Sequence, residues 1–109
     1  MEPVLTPATL FHVVTPAYWA TQEDEADYAP ATFEAEGFIH LCTEEQITGV
    51  LERYFGGEDA VMLVHISTKD LVAPLRWEPS PATGELFPHL YGRLNKSAIE
   101  GAEMLSRAE

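Results

Sequence analysis

Basic residues are scarce in this chain. Its 109 residues include six Lys and Arg against 18 Asp and Glu, a formal net charge of −12. A protein so charged repels phosphate backbones at long range, which argues against non-specific nucleic-acid binding. The first 52 residues hold no Lys or Arg at all, so a small anionic ligand is accommodated only if Arg53, Arg76 or Arg93 turns toward it. Solubility accounts for most of the acidity. Cysteine is reduced to Cys42, which cannot form an internal disulfide, so the fold does not depend on an oxidising compartment. Apolar runs are short, none nearing the ~20 residues that span a bilayer. The N-terminus lacks a basic stretch followed by an apolar one, so no signal peptide is expected. A cytoplasmic protein without membrane association is the expectation. The acidic run Glu23-Asp24-Glu25 lacks the spaced Asx and Gly residues of a calcium loop and reads as a solvated face.

What is present suits one globular domain over residues 1–109, with an ordered core at about 9–106. Hydrophobic residues make up 46% and charged residues 22%, the balance of a folded chain. Residues 1–8 read as a loose lead-in. Residues 10–14 are apolar except for His12 and read as a strand buried on both faces. Thr15-Pro16 then caps a short helix over 17–22. Residues 23–36 read as a surface loop with a helical turn near 31–34. The run 60–66 is continuously apolar and of strand length, which predicts a central strand. A helical turn at 67–71 follows, then strands at 75–78 and 90–94, the latter opened by Pro88. The tail reads as a turn at 97–100 leading to a strand around 102–105, with a capped helix as the alternative. The sum is an α+β domain of five or six short strands, one main helix and one or two short helices.

The most informative stretch is Glu36-Gly37-Phe38-Ile39-His40-Leu41-Cys42-Thr43-Glu44-Glu45-Gln46. Phe38, Ile39 and Leu41 give it the apolar body of a strand. Thr43 and Gln46 have the spacing of a capping box, opening a helix from 44 to about 55. In that helix Ile47, Val50, Leu51 and Tyr54 form one apolar stripe, and Gly56-Gly57 ends it.

His12, His40 and His89 each lie in or beside a short apolar strand, where an unpaired polar group costs about 1–3 kcal/mol. If those strands are neighbours, the three imidazoles line one cleft and act as catalytic groups, since imidazole exchanges protons near neutrality. Otherwise each is satisfied by its own local backbone. His65, between Val64 and Ile66, reads as a packed or edge histidine. Three histidines and Cys42 contain enough donors for zinc, but the C-x-x-C and H-x-x-x-H spacings are missing, so no metal is expected. Cys42 precedes the Thr43 cap, where a helix terminus lowers a thiol pKa, so a Cys/His hydrolase is an alternative to a buried filler. Trp19, Trp77 and Tyr91 can wall an aromatic slot, although the core is the simpler place for Trp77. Arg93, two positions past Tyr91, shares its strand face and can meet a phosphate.

The first-strand histidine, Trp19, Gly37-Phe38-Ile39-His40 with Cys42 and Gln46, Arg53-Tyr54-Phe55, Leu71, Trp77-Glu78 and Phe87-Pro88-His89-Leu90-Tyr91-Gly92 form a pattern. It resembles the small bacterial family known as domain of unknown function 952, from about Leu10 to about Leu105. The resemblance implies a fold similar to the ADP-ribosyltransferase superfold: split antiparallel β-sheets around a cleft that holds NAD. It implies a nucleotide-like small-molecule ligand, NAD or ADP-ribose, held by His12, His40, Cys42 or Thr43, and Gln46. His89 and Tyr91 would form the opposite wall. The superfold often uses a late glutamate, and none stands in an obviously equivalent place here; Glu78 and Glu85 are the nearest. That absence supports a second reading, a non-catalytic binding or interaction module that retains the fold.

Overall fold

Apolar runs of strand length and one striped helix lay out the molecule. The computed structural model describes residues 6–106. In chain order it contains β1 (Thr9–Val14), α1 (Pro16–Thr21), β2 (Asp27–Tyr28), α2 (Phe33–Glu36), β3 (Ile39–His40) and α3 (Ile47–Tyr54). Then come β4 (Ala60–Ser67), β5 (Leu75–Pro79), β6 (Leu86–Leu90), β7 (Leu94–Asn95) and β8 (Ile99–Ser106). The fold is α+β with antiparallel sheets and few helices, as expected. Of the expected lead-in over residues 1–8, residues 1–5 lie outside the described residues.

β4 is central, flanked by β1 and β8, because its continuous apolar sequence is buried on both faces. β6 is the middle of a second three-stranded sheet, flanked by β3 and β5. β2 and β7 form a two-stranded ribbon. Phe11 and Cys42 exchange backbone hydrogen bonds of 2.8 Å in both directions, tying the edge of the first sheet to the chain just past β3.

Side-chain alternation then sorts residues onto two faces. Leu10, Val14, Ile39, Val64, Ile66, Leu90 and Leu94 enclose the main core with Tyr28. Fully burying a side chain such as Leu or Ile contributes roughly 1.5–3 kcal/mol, so these residues dominate stability. Phe11, Val13, Cys42, Val61, Leu63 and Phe87 face the other way, and Ile47, Val50 and Leu51 of α3 cover them.

Several elements differ from expectation. The helix expected from residue 44 begins as a 3₁₀ turn, Glu44–Gln46, and becomes α-helical at Ile47. Tyr54 leaves the apolar stripe and is 61% exposed; Phe55 packs in its place. The strand expected at 90–94 divides into β6 and β7. Tyr91, Gly92 and Arg93 turn the chain between them. At Gly92 a Cβ would lie 2.6 Å from the Ala73 Cβ, so only glycine fits there. The loop expected at 23–36 contains β2, so with β7 the described residues form eight strands rather than five or six. The tail is a 3₁₀ turn, Lys96–Ala98, followed by a strand, as read.

Candidate functional site

Pro88 organises the second sheet. It stands inside β6 rather than at its mouth. The Leu41 N–H donates to the Pro88 carbonyl at 3.0 Å, which marks these two as a hydrogen-bonded pair. Proline has no N–H to return the second bond, so the ladder ends and β3 is only two residues long. The adjoining pair, His40 and His89, is then of the non-hydrogen-bonded kind, which brings side chains closest. Their ring centroids are 5.1 Å apart at an interplanar angle of 76°.

The same alternation turns the His40 carbonyl away from β6 toward β1. There it accepts a hydrogen bond from His12 Nδ1 at 2.8 Å. A carbonyl can only accept, so His12 carries its proton on Nδ1. Nε2 therefore accepts from the Tyr28 hydroxyl at 2.7 Å. Burial pushes the His12 pKa from 6.5 down to about 4. Burial also raises the pKa of Tyr28 above its usual value. His12 is thus a neutral side chain that replaces a missing ladder bond between β1 and β3. The expected convergence of three imidazoles is corrected to two. His12 points with Leu10 and Val14 into the main core, while His40 and His89 stand on the opposite face.

That opposite face carries a row in direct register across three strands: His40 on β3, His89 on β6 and Arg76 on β5. Each imidazole is held by a carboxylate. His89 Nδ1 lies 2.7 Å from Glu78 Oε1, and His40 Nε2 lies 3.0 Å from Glu36 Oε1. Tyr91 donates to the same Glu78 oxygen at 2.7 Å. Hydrogen bonds from Tyr91 and His89 hold the Glu78 carboxyl below its usual pKa, and the same hydrogen bond to Glu78 holds the Tyr91 hydroxyl above its own. Phe38 stacks on His89 at 4.3 Å and 23°, and the Arg76 guanidinium lies 5.4 Å from the centre of the Tyr91 ring. His89 Nε2 has no hydrogen-bond partner among the described residues. No buried side-chain nitrogen or oxygen among the described residues lacks one, so Nε2 keeps some contact with solvent although the residue is 8% exposed. A carboxylate-oriented imidazole with a free, accessible nitrogen can take or give a proton.

The remaining expected site residues lie elsewhere. Trp19 tilts over Tyr28 at 5.3 Å, and Trp77 also packs against the main core, so neither forms a slot with Tyr91. Thr43 and Gln46 serve the fold. The Thr43 N–H donates to Gln46 Oε1 at 3.0 Å, while Gln46 Nε2 donates to the Leu86 carbonyl at 2.8 Å and to Glu85 Oε2 at 3.1 Å. Cys42 lies under α3, and burial raises its thiol pKa to about 12, which removes the thiolate a Cys/His hydrolase needs. Arg93 does not share the face of Tyr91. Beyond the Gly92 turn it pairs with Glu34 at 3.3 Å and lies over Phe33 at 5.3 Å, beside a shallow groove of about 280 Å³. Glu36 and Phe38 were not expected in the site. Glu36 is four residues from His40 but in a different element, and Phe38 reads as an ordinary strand residue. His65 forms a separate pair with Glu103 at 2.6 Å on the first sheet. Among the described residues no group of three or more His, Cys, Asp or Glu is placed to hold a metal, and no helix is long and apolar enough to cross a membrane.

A family model described as "Protein of unknown function (DUF952)" matches residues 13–102. A crystal structure of protein CC0527 from Caulobacter crescentus is similar to this chain at 28% identity and a TM-score of 0.79, covering 90% of this chain and 86% of that one. The solution NMR structure of CC0527 aligns with a TM-score of 0.76 at 28% identity, covering 92% and 86%. No curated protein matches the chain.

Proposed function

Since the chain belongs to the DUF952 family, whose description assigns no activity, we propose from the geometry that the open face of β3, β6 and β5 is a reaction centre for a nucleotide-type small molecule. NAD and ADP-ribose are the first ligands to try. The single observation that carries this reading is the Glu78–His89 pair at 2.7 Å, which leaves His89 Nε2 without a hydrogen-bond partner among the described residues. It combines a proton acceptor, the carboxylate that fixes its tautomer, and an adjoining second imidazole. Arg76 supplies positive charge at the end of the row, in a protein with few cations. Phe38 offers an apolar ring beside it for a base.

The reading keeps the ligand class of an ADP-ribosyltransferase-like enzyme but redistributes its residues. The two three-stranded sheets would form the split sheet pair. Glu78 takes the part of the late glutamate, and the first-strand histidine serves structure rather than chemistry. A module that only binds would use the same face without turnover. Titration with NAD or ADP-ribose tests the proposal through the histidine ring resonances. Those of His40 and His89 should move, and the buried His12 ring should stay still as an internal control. If neither His40 nor His89 responds at millimolar ligand, the proposal is wrong.

A further inference from the structure

We propose that this face hydrolyses a phosphodiester of nucleotide type, a nucleoside 2′,3′-cyclic phosphate being the simplest, with His89 as general base and His40 as general acid. The inference rests on the reading above that the face is a nucleotide site, and adds its reaction. A proton acceptor alone fits many reactions. Two imidazoles side by side, each tethered by a different nitrogen, fit fewer.

His89 is held through Nδ1 by Glu78 and leaves Nε2 free. His40 is held through Nε2 by Glu36, so its uncommitted nitrogen is Nδ1. The two rings are register partners with centroids 5.1 Å apart, close enough for one tetrahedral group to lie against both. Arg76 is the next residue in the same row, one strand further along, about 4.8 Å in sheet geometry. A phosphodiester matches this row group by group. Its non-bridging oxygens carry the charge that a guanidinium recognises. Its attacking and leaving oxygens each need one proton moved, in opposite directions.

The step balances without any further reactant. A water oxygen attacks phosphorus while His89 Nε2 takes one of its protons. The bond from phosphorus to one ribose oxygen breaks, and that oxygen takes a proton from Nδ1 of a protonated His40. The product is a phosphomonoester with a free ribose hydroxyl. Exchange with solvent then returns both imidazoles to their starting states. His89, 8% exposed and stacked under Phe38, suits the fixed base, whereas His40 is exposed and reaches a departing alcohol. The charged or titratable groups facing the two rings are Glu36, Glu78, Arg76 and Tyr91; His12 hydrogen-bonds the His40 carbonyl and also feels the His40 charge.

The test incubates the purified full chain with 2′,3′-cyclic AMP. Phosphorus NMR follows ring opening, and histidine spectra follow binding in the same samples. We expect turnover with a bell-shaped dependence on pH, since one imidazole must be neutral and the other protonated. His40→Asn and His89→Asn should each lower the rate by about 100-fold or more. Arg76→Gln should raise KM more than it lowers kcat. Because the His40 side chain is exposed, His40→Asn should unfold at the wild-type temperature, which separates loss of chemistry from loss of fold. If His40 and His89 signals move with the cyclic nucleotide while the ring stays closed, hydrolysis is refuted and the nucleotide site stands. If no signal moves and nothing turns over, both readings fall. Ring opening that survives both histidine substitutions also refutes the assignment.

Discussion

Acid should destabilise this protein through His12, in a pH window that the structure defines. The ring is enclosed by the His40 carbonyl and the Tyr28 hydroxyl, and burial lowers its pKa from 6.5 to about 4. The unfolded chain binds a proton near pH 6.5, whereas the folded one refuses it until about pH 4, so the unfolded state holds more protons between those values. Stability therefore falls as pH drops through this window and is unaffected by His12 above it. A shift of about 2.5 units at 1.36 kcal/mol each amounts to about 3 kcal/mol, of which about 2 is lost by pH 5. Against a typical total of 5–15 kcal/mol, roughly, this is a large fraction. Urea unfolding at pH 7.5, 6.5, 5.5 and 5.0 measures it, with His12→Gln as reference. The variant is expected to start less stable but to lose about 2 kcal/mol less over the range. Equal slopes for the two proteins would refute the reasoning. So would a nitrogen spectrum at neutral pH with the His12 proton on Nε2.

Two further outcomes follow from packing. Gly92→Ala forces a Cβ to within 2.6 Å of the Ala73 Cβ and should cost about 1–3 kcal/mol, with Ala73→Gly restoring part of the loss; thermal unfolding of the single and double variants checks this. Cys42 is buried with its thiol pKa near 12, so alkylation at neutral pH should be slow in the folded protein and become fast in denaturant, as mass spectrometry over time would show.

Signals that repeat along the chain were legible in the sequence. The run at 60–66 needed only its length and continuity to become the central strand. The spacing of Ile47, Val50 and Leu51 placed the helix, and Gly56-Gly57 its end. Signals that depend on a distant partner were not legible. Asp27–Tyr28 looks like loop because a two-residue strand has no period, yet Tyr28 is one of the largest fully buried side chains, held there by β7 and His12. The strand expected at 90–94 breaks at Tyr91 because Pro88 lies within β6 and is not a strand start. Its missing N–H instead faces the end of β3, where the ladder can stop. His12 posed the hardest case. Its polarity in an apolar strand announced a partner correctly, but β1 is buried on both faces, so apolar neighbours at Phe11 and Val13 gave no hint of the direction it points. The pairing of His40 with His89 follows from the β3–β6 register, which local sequence does not carry. Glu78 was visible as a nearby carboxylate; its hydrogen bond to His89 depends on the hairpin that joins β5 to β6.

Two structural roles meet at His40. Its side chain belongs to the open row, and its carbonyl belongs to the buried stitch with His12. Both follow from one fact of antiparallel pairing: a residue in a non-hydrogen-bonded pair turns its backbone polar groups away from its partner strand. In the middle of a wide sheet another strand would satisfy that carbonyl. Here the next strand, β1, meets the chain by a single backbone bridge, at Phe11 and Cys42. A side chain has to do what a ladder would otherwise do, and a neutral histidine with the proton on Nδ1 can. A tyrosine behind it then donates to the bare Nε2. The position of the His40 ring over the open face is thus tied to a part-buried hydrogen bond made behind it. A residue that touches no ligand can set the geometry of the one that would.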